Sequence, residues 1–165
     1  MAAPNDQRPM TNDHPEQRLA ELGITLPDVP KPRWAYSPFV RSGNLVFVSG
    51  QIATENGRIL HPGKLGREID VAAGQEAARG TAIAALAVVR QAAGGSLDNV
   101  VRVVKLTVFV ASSEGFGEQP TVANGASEFL RDVFGDAGLG ARSAVGVAEL
   151  PLGASVEAEY IFEVR

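Results

Sequence analysis

The sequence predicts an α+β domain in which two helices cover one face of a sheet. Period-two apolar patterns occur in LVFVSGQIA (45–53), VVRVVKLTVFV (100–110) and VEAEYIFEV (156–164), as strands require. Two other segments carry apolar residues at helical intervals: Ala78, Ala82, Ala85 and Val89, then Val122, Ala126, Phe129 and Val133. The order is strand, helix, strand, helix, strand, strand, with a further short strand near Arg58-Ile59-Leu60. A chain of 165 residues fits one domain and can bury roughly two-thirds of its unfolded surface.

Taken in order, residues 1–17 are polar and aperiodic and read as a flexible tail, with a single domain over 18–165. RLAELGI (18–24) forms a short helix or turn. Pro27, Pro30, Pro32 and Pro38 then make an extended, pinned arm rather than an element, with Trp34 and Tyr36 as its expected anchors. Arg41-Ser42-Gly43-Asn44 reads as a turn into the first strand, which sets Leu45, Phe47 and Ser49 on one face and Val46 and Val48 on the other. Asn56-Gly57 is a second turn. Asp70 is placed to cap a helix running to about Ala93, where Gly94-Gly95 ends it. The next strand sets Val104, Leu106, Val108 and Val110 against Val103, Lys105, Thr107 and Phe109. A second helix covers about 119–134.

The chain then reads ARSAVGVAELPLGASVEAEYIFEV (141–164). Leu150-Pro151-Leu152-Gly153 resembles a turn, so the flanking runs are expected to form a hairpin that brings Arg142 near Glu157. Two roles for that pair stay open: a salt bridge across the hairpin, or a binding site. Glu159 and Glu163 share the face of Glu157 and read as solvated surface. The strands at 45–48 and 101–110 are apolar on both faces, which would expose a patch larger than a monomer tolerates. Another copy of the chain is the simplest cover.

Composition narrows the functions. The chain is 45% hydrophobic and only 6% aromatic, which points to a core of small side chains. A net charge of −4 without a basic stripe argues against a nucleic-acid partner. The absence of cysteine removes disulfides, a thiolate nucleophile and cysteine-ligated metals. His14 and His61 fall into no metal or triad spacing, and no glycine-rich phosphate loop occurs. No apolar run approaches the ~20 residues of a membrane span and no signal peptide is visible, so a cytoplasmic location, no membrane partner and no cofactor or metal are expected.

Together GNLVFVSGQIA, KLTVFV and the 141–164 block resemble the RidA/YjgF family of reactive-intermediate deaminases, over about residues 36–165. The resemblance implies a chorismate-mutase-like mixed sheet with two helices on one face, assembled as a homotrimer with clefts between subunits. It also implies cofactor-free hydrolysis of 2-imino or 2-enamino acids to keto acid and ammonia. Arg142 occupies the position that binds the substrate carboxylate, for which a guanidinium fork is well matched. Glu157 occupies that of the acid which orients or activates water. Ser49 and Gly50 match the family's Ser-Gly pair lining the cleft, and Asn124 falls near a family asparagine. Two positions depart: Phe39 stands where better-studied members carry tyrosine, and Ala144 where they carry cysteine. The alternative is a non-catalytic trimer that binds a small carboxylate. An RNA-cleaving role, the older label of some relatives, lacks both basic surface and a catalytic histidine.

Overall fold

The computed structural model describes residues 14–32 and 34–165. The tail expected over 1–17 therefore lies mostly outside the described residues. Its last residues open a helix, α1 (Pro15–Glu21), three positions earlier than RLAELGI suggested, because Pro15 sits at a helix start, where its missing N–H costs nothing.

The remaining elements are β1 (Phe39–Ser42), β2 (Leu45–Ile52), β3 (Thr54–Glu55), β4 (Arg58–Ile59), α2 (Val71–Ala92), β5 (Val100–Ala111), α3 (Gln119–Phe134), β6 (Ala141–Val147) and β7 (Val156–Val164). The main sheet is mixed, in the order β1-β2-β7-β5-β6, with only the β5–β6 pair parallel. β3 and β4 form a separate two-stranded ribbon. Its turn residues Asn56 and Gly57 both have positive φ, as a tight hairpin demands.

Both helices form where the sequence placed them. The Asp70 carboxylate accepts from the Ala73 N–H at 2.8 Å, capping α2. Beyond its end Gly94 and Gly95 take positive φ, and Gly95 N–H donates to the Arg90 carbonyl at 2.8 Å. Both predicted stripes, Ala78/Ala82/Ala85/Val89 and Val122/Ala126/Phe129/Val133, are buried. They pack on Val46, Val48, Leu106, Val108, Val110, Ala158, Tyr160 and Phe162. The Tyr160 hydroxyl, the polar tip of a buried ring, lies 2.7 Å from the Thr81 hydroxyl, which donates to the Ala78 carbonyl.

Small residues set how closely α2 and α3 approach. A Cβ built on Gly125 would lie 2.0 Å from the Gln75 carbonyl oxygen, which is backbone and cannot swing aside. Gly125→Ala is expected to destabilise the fold by about 1–3 kcal/mol, despite the roughly 0.5–1 kcal/mol that alanine gains in a helix. Urea unfolding reads this directly, and an unchanged midpoint would show that the helices separate at no cost.

Four sequence expectations are corrected. Phe39–Ser42 is a strand, β1, which pairs with β2 across the two-residue turn Gly43-Asn44, so the turn is shorter and the arm ends earlier. Trp34 and Tyr36 do not anchor the arm within this chain, since Trp34 is 71% exposed. On β5 it is Val103, not Val104, that joins the buried face. The cause is a bulge: Val103 pairs with Phe162 and Lys105 with the adjacent Ile161, leaving Val104 as an extra residue that reverses the alternation.

The fourth correction concerns the C-terminal hairpin. β6 and β7 are not neighbours, because β5 lies between them, parallel to β6 and antiparallel to β7. The Leu-Pro turn is real, a 3-10 turn over Pro151–Gly153 with Leu152 in the left-handed region at φ 59. It leads the chain past β5 instead of folding β7 back onto β6.

Candidate functional site

Arg142 lies on β6, an edge strand, opposite Leu106 of β5. Leu106 is buried under the helices, and paired residues share a face, so Arg142 points to the helix side and meets α3. Its Nη1 donates to Asn124 Oδ1 at 2.8 Å and to Ser127 Oγ at 3.1 Å, and its Nη2 to the Pro120 carbonyl at 3.3 Å. Ala144, opposite Val108, shares that face and packs against the core. The structure thus joins Arg142, Asn124 and Ala144. All three groups holding the guanidinium are neutral, and no carboxylate pairs with it among the described residues.

Glu157 lies elsewhere. Its neighbours Val156 and Ala158 are buried beneath the helices, so alternation turns Glu157 to the open face, opposite Phe109 on one side and Ile52 on the other. The salt bridge considered for Arg142 and Glu157 does not form, because the sheet itself stands between them. Burial, followed by the nearby Glu159 carboxylate, pushes the Glu157 pKa up from the ordinary glutamate value.

The Ser-Gly pair is built around this carboxylate. Val48 pairs with Tyr160 and Gln51 with Ala158, so Ser49 and Gly50 together oppose Glu159 alone, forming a β-bulge. A Cβ on Gly50 would lie 2.0 Å from Glu157 Oε1, so any side chain there would force the carboxylate to swing away from its place over the bulge. Ser49 Oγ donates to the Ser37 carbonyl at 2.6 Å, and Ser37 Oγ to the Phe39 carbonyl at 2.6 Å, which fastens the arm to β2. Phe39 itself pairs with Val48 and packs against the core, apart from both Arg142 and Glu157.

Sequence reasoning missed Ser127 and the Pro120 carbonyl. A signal existed: positions 120, 124 and 127 recur at i, i+4 and i+7 along one face of α3, and Asn124 and Ser127 interrupt an otherwise apolar run. His61 takes no part, its Nε2 lying 2.6 Å from Glu76 Oε2 beside a shallow concavity lined by Glu55, Asn56 and Arg58. Among the described residues no group of three or more His, Cys, Asp or Glu side chains could hold a metal ion, and no helix is long and apolar enough to cross a membrane.

Comparison with known proteins agrees with this architecture. The family model described as Endoribonuclease L-PSP matches residues 27–164. Protein TCP17 of Trypanosoma cruzi is 47% identical over 148 residues, 89% of this chain and 92% of its own. The 2-iminobutanoate/2-iminopropanoate deaminase of Dermatophagoides farinae is 33% identical over 86% of this chain and 95% of its own. The crystal structure of Atu1372 from Agrobacterium tumefaciens superposes with a TM-score of 0.85 at 48% identity, covering 92% of both chains. A mixed sheet with two helices on one face, the Arg142 block on β6 and a match over nearly all of the chain place this protein in the Endoribonuclease L-PSP family, also called YjgF/RidA.

Proposed function

We propose that the protein hydrolyses reactive 2-imino and 2-enamino acids to the keto acid and ammonia, in clefts formed between copies of the chain. The observation that carries this reading is the guanidinium of Arg142, fixed by three neutral acceptors and with no carboxylate paired to it among the described residues. Such a group suits a small carboxylate, and a relative 33% identical is an iminobutanoate and iminopropanoate deaminase.

In the proposed reaction the substrate carboxylate sits on Arg142 with its C=N carbon towards the Glu157 side of the cleft. The Glu157 carboxylate takes a proton from water as the water oxygen adds to that carbon. The proton passes to the nitrogen to give a carbinolamine. Glu157 then takes the proton of the new hydroxyl and passes it to the amine as the C–N bond breaks, so that ammonia leaves and the carbonyl forms. An imine carbon is already electrophilic, so one weak base suffices. Neither the phenol missing at Phe39 nor the thiol missing at Ala144 is needed.

Two observations support assembly from several copies. The open sheet face carries Phe47 and Val145, 42% and 43% exposed, beside the half-buried Phe109 and Ile161, an apolar surface that a second copy would cover. Arg142 and Glu157 also stand on opposite faces of one sheet, so a shared cleft needs one residue from each of two copies. The homotrimer implied by the resemblance meets both conditions.

Keto-acid release from freshly generated 2-imino acids, trapped with semicarbazide, tests the reaction. The expected pH profile follows from Glu157. A base must be deprotonated, so kcat/KM falls as pH drops through its pKa, and burial places that limb above the ordinary glutamate value of about 4.3. Glu157→Gln is expected to remove the limb along with most of the rate. A limb that survives the substitution belongs to another group.

A second reading, a carboxylate-binding protein without turnover, is favoured by one observation. Neither Phe39 nor Ala144 has an ionisable side chain, so Glu157 is the single group able to act as a base among the site positions that match the family. Binding of a 2-keto acid without any acceleration of imine hydrolysis would select it. RNA cleavage draws no support from a chain of net charge −4 whose His61 is engaged by Glu76.

A further inference from the structure

The partners of Arg142 say which edge of its guanidinium remains for a ligand. The group has five N–H donors. Nη1 is committed to Asn124 Oδ1 and Ser127 Oγ, and one N–H of Nη2 to the Pro120 carbonyl. Nε–H has no partner among the described residues. In any guanidinium it points along the same side as one of the two Nη2 N–H bonds, and with the Pro120 carbonyl on the other Nη2 N–H that pair is spaced to match the two oxygens of a carboxylate.

We propose that Ser127 is a positioning residue: with Asn124 and the Pro120 carbonyl it holds the Nη1 side of Arg142 to α3, so that a substrate carboxylate is taken side-on by Nε and Nη2. The proposal rests on the carboxylate-binding reading of Arg142 given above. Ser127 and Asn124 belong to one face of a 16-residue helix whose other inward positions are apolar. A helical serine commonly turns its hydroxyl back to a carbonyl one turn earlier, yet here the hydroxyl oxygen accepts from Arg142 at 3.1 Å. Without it the guanidinium keeps its charge but gains freedom to rotate about its long side chain, and the fork is no longer aimed. Asn124 on this reading acts through Arg142 with its carbonyl oxygen, which leaves its amide N–H groups free to face the ligand.

The experiment is calorimetric binding of 2-oxobutanoate, a 2-keto acid, to the full chain and to Ser127→Ala, Ser127→Thr and Arg142→Ala, with the Tm of each. Ser127→Ala is expected to weaken binding about tenfold, the loss of one hydrogen bond to a charged group. Its Tm should hold or rise, since alanine favours the helix, and threonine, which keeps the hydroxyl, should restore most of the affinity. If Ser127→Ala binds like the wild type while Arg142→Ala does not, Ser127 positions nothing and the Arg142 reading stands. A threonine variant as weak as the alanine variant overturns the proposal equally, because the hydroxyl is then not the cause. If 2-oxobutanoate does not bind the wild type, or binds Arg142→Ala as well, both the proposal and the reading beneath it fall.

Discussion

Replacing Arg142 with alanine is expected to lower kcat/KM for 2-imino acids roughly a hundredfold. A charge-assisted hydrogen bond is worth about 1.5–3 kcal/mol, and tenfold in rate corresponds to about 1.4 kcal/mol. Two such bonds to one carboxylate therefore reach that range without any other contribution. The fold should not suffer, because Arg142 is an exposed residue on an edge strand whose partners on α3 are neutral and accessible to water. An unchanged Tm beside a lost rate would separate recognition from folding. Lysine at 142 keeps the charge but not the planar fork, so it should recover only a small part of the rate. The check is semicarbazide-trapped keto acid at several substrate concentrations. A loss of less than threefold in Arg142→Ala would remove carboxylate recognition from this residue and with it the main support for the deaminase reading.

How far the sequence reached depended on whether the deciding interactions were local. Asp70, Gly94-Gly95 and the two apolar stripes define α2 and α3 through contacts within a few residues, and those helices form at the expected places. Asn56-Gly57 makes its hairpin for the same reason. The pairing of β6 is decided at long range. Leu150-Pro151-Leu152-Gly153 has the chemistry of a turn but carries no information about which strand already occupies the inner edge of β6, and that strand is β5, thirty-six positions earlier in register, as in Leu106 opposite Arg142. The bulge at Val104 is hidden in the same way, since two adjacent valines look alike until Phe162 and Ile161 choose between them.

The candidate site was legible as a set of residue types and not as an arrangement. Arg142, Asn124 and Glu157 were each identified, and Arg142 with Asn124 come together as a pair. The assumption that Arg142 and Glu157 face one another within a chain came from the hairpin and goes with it. Gly50 shows the reverse case: the resemblance marks it as half of a Ser-Gly pair lining the cleft, and the structure adds the physical reason, a bulge opposite Glu159 where a Cβ would lie 2.0 Å from the Glu157 carboxylate as it is now placed.

Mixing two inactive variants is expected to restore activity if the cleft is built from two copies. Within one chain Arg142 and Glu157 lie on strands that flank β5, on opposite faces of the sheet. The two outer strands are about 10 Å apart before their opposed directions are counted, and no rotamer carries a side chain through a sheet. A ring of identical copies in head-to-tail contact would bring Arg142 of one chain to Glu157 of the next at every interface. Arg142→Ala and Glu157→Gln chains, each nearly inactive alone, should then complement when refolded together. A cleft works when its arginine comes from the Glu157→Gln chain and its glutamate from the Arg142→Ala chain. Random assembly from equal amounts supplies each with a chance of one half, so about a quarter of the clefts should be intact. Native mass spectrometry of the mixture establishes that mixed oligomers are present. Recovery near a quarter of wild-type activity supports a cleft completed by two copies, whereas mixed oligomers no more active than either pure variant would mean that the two residues do not act together across an interface.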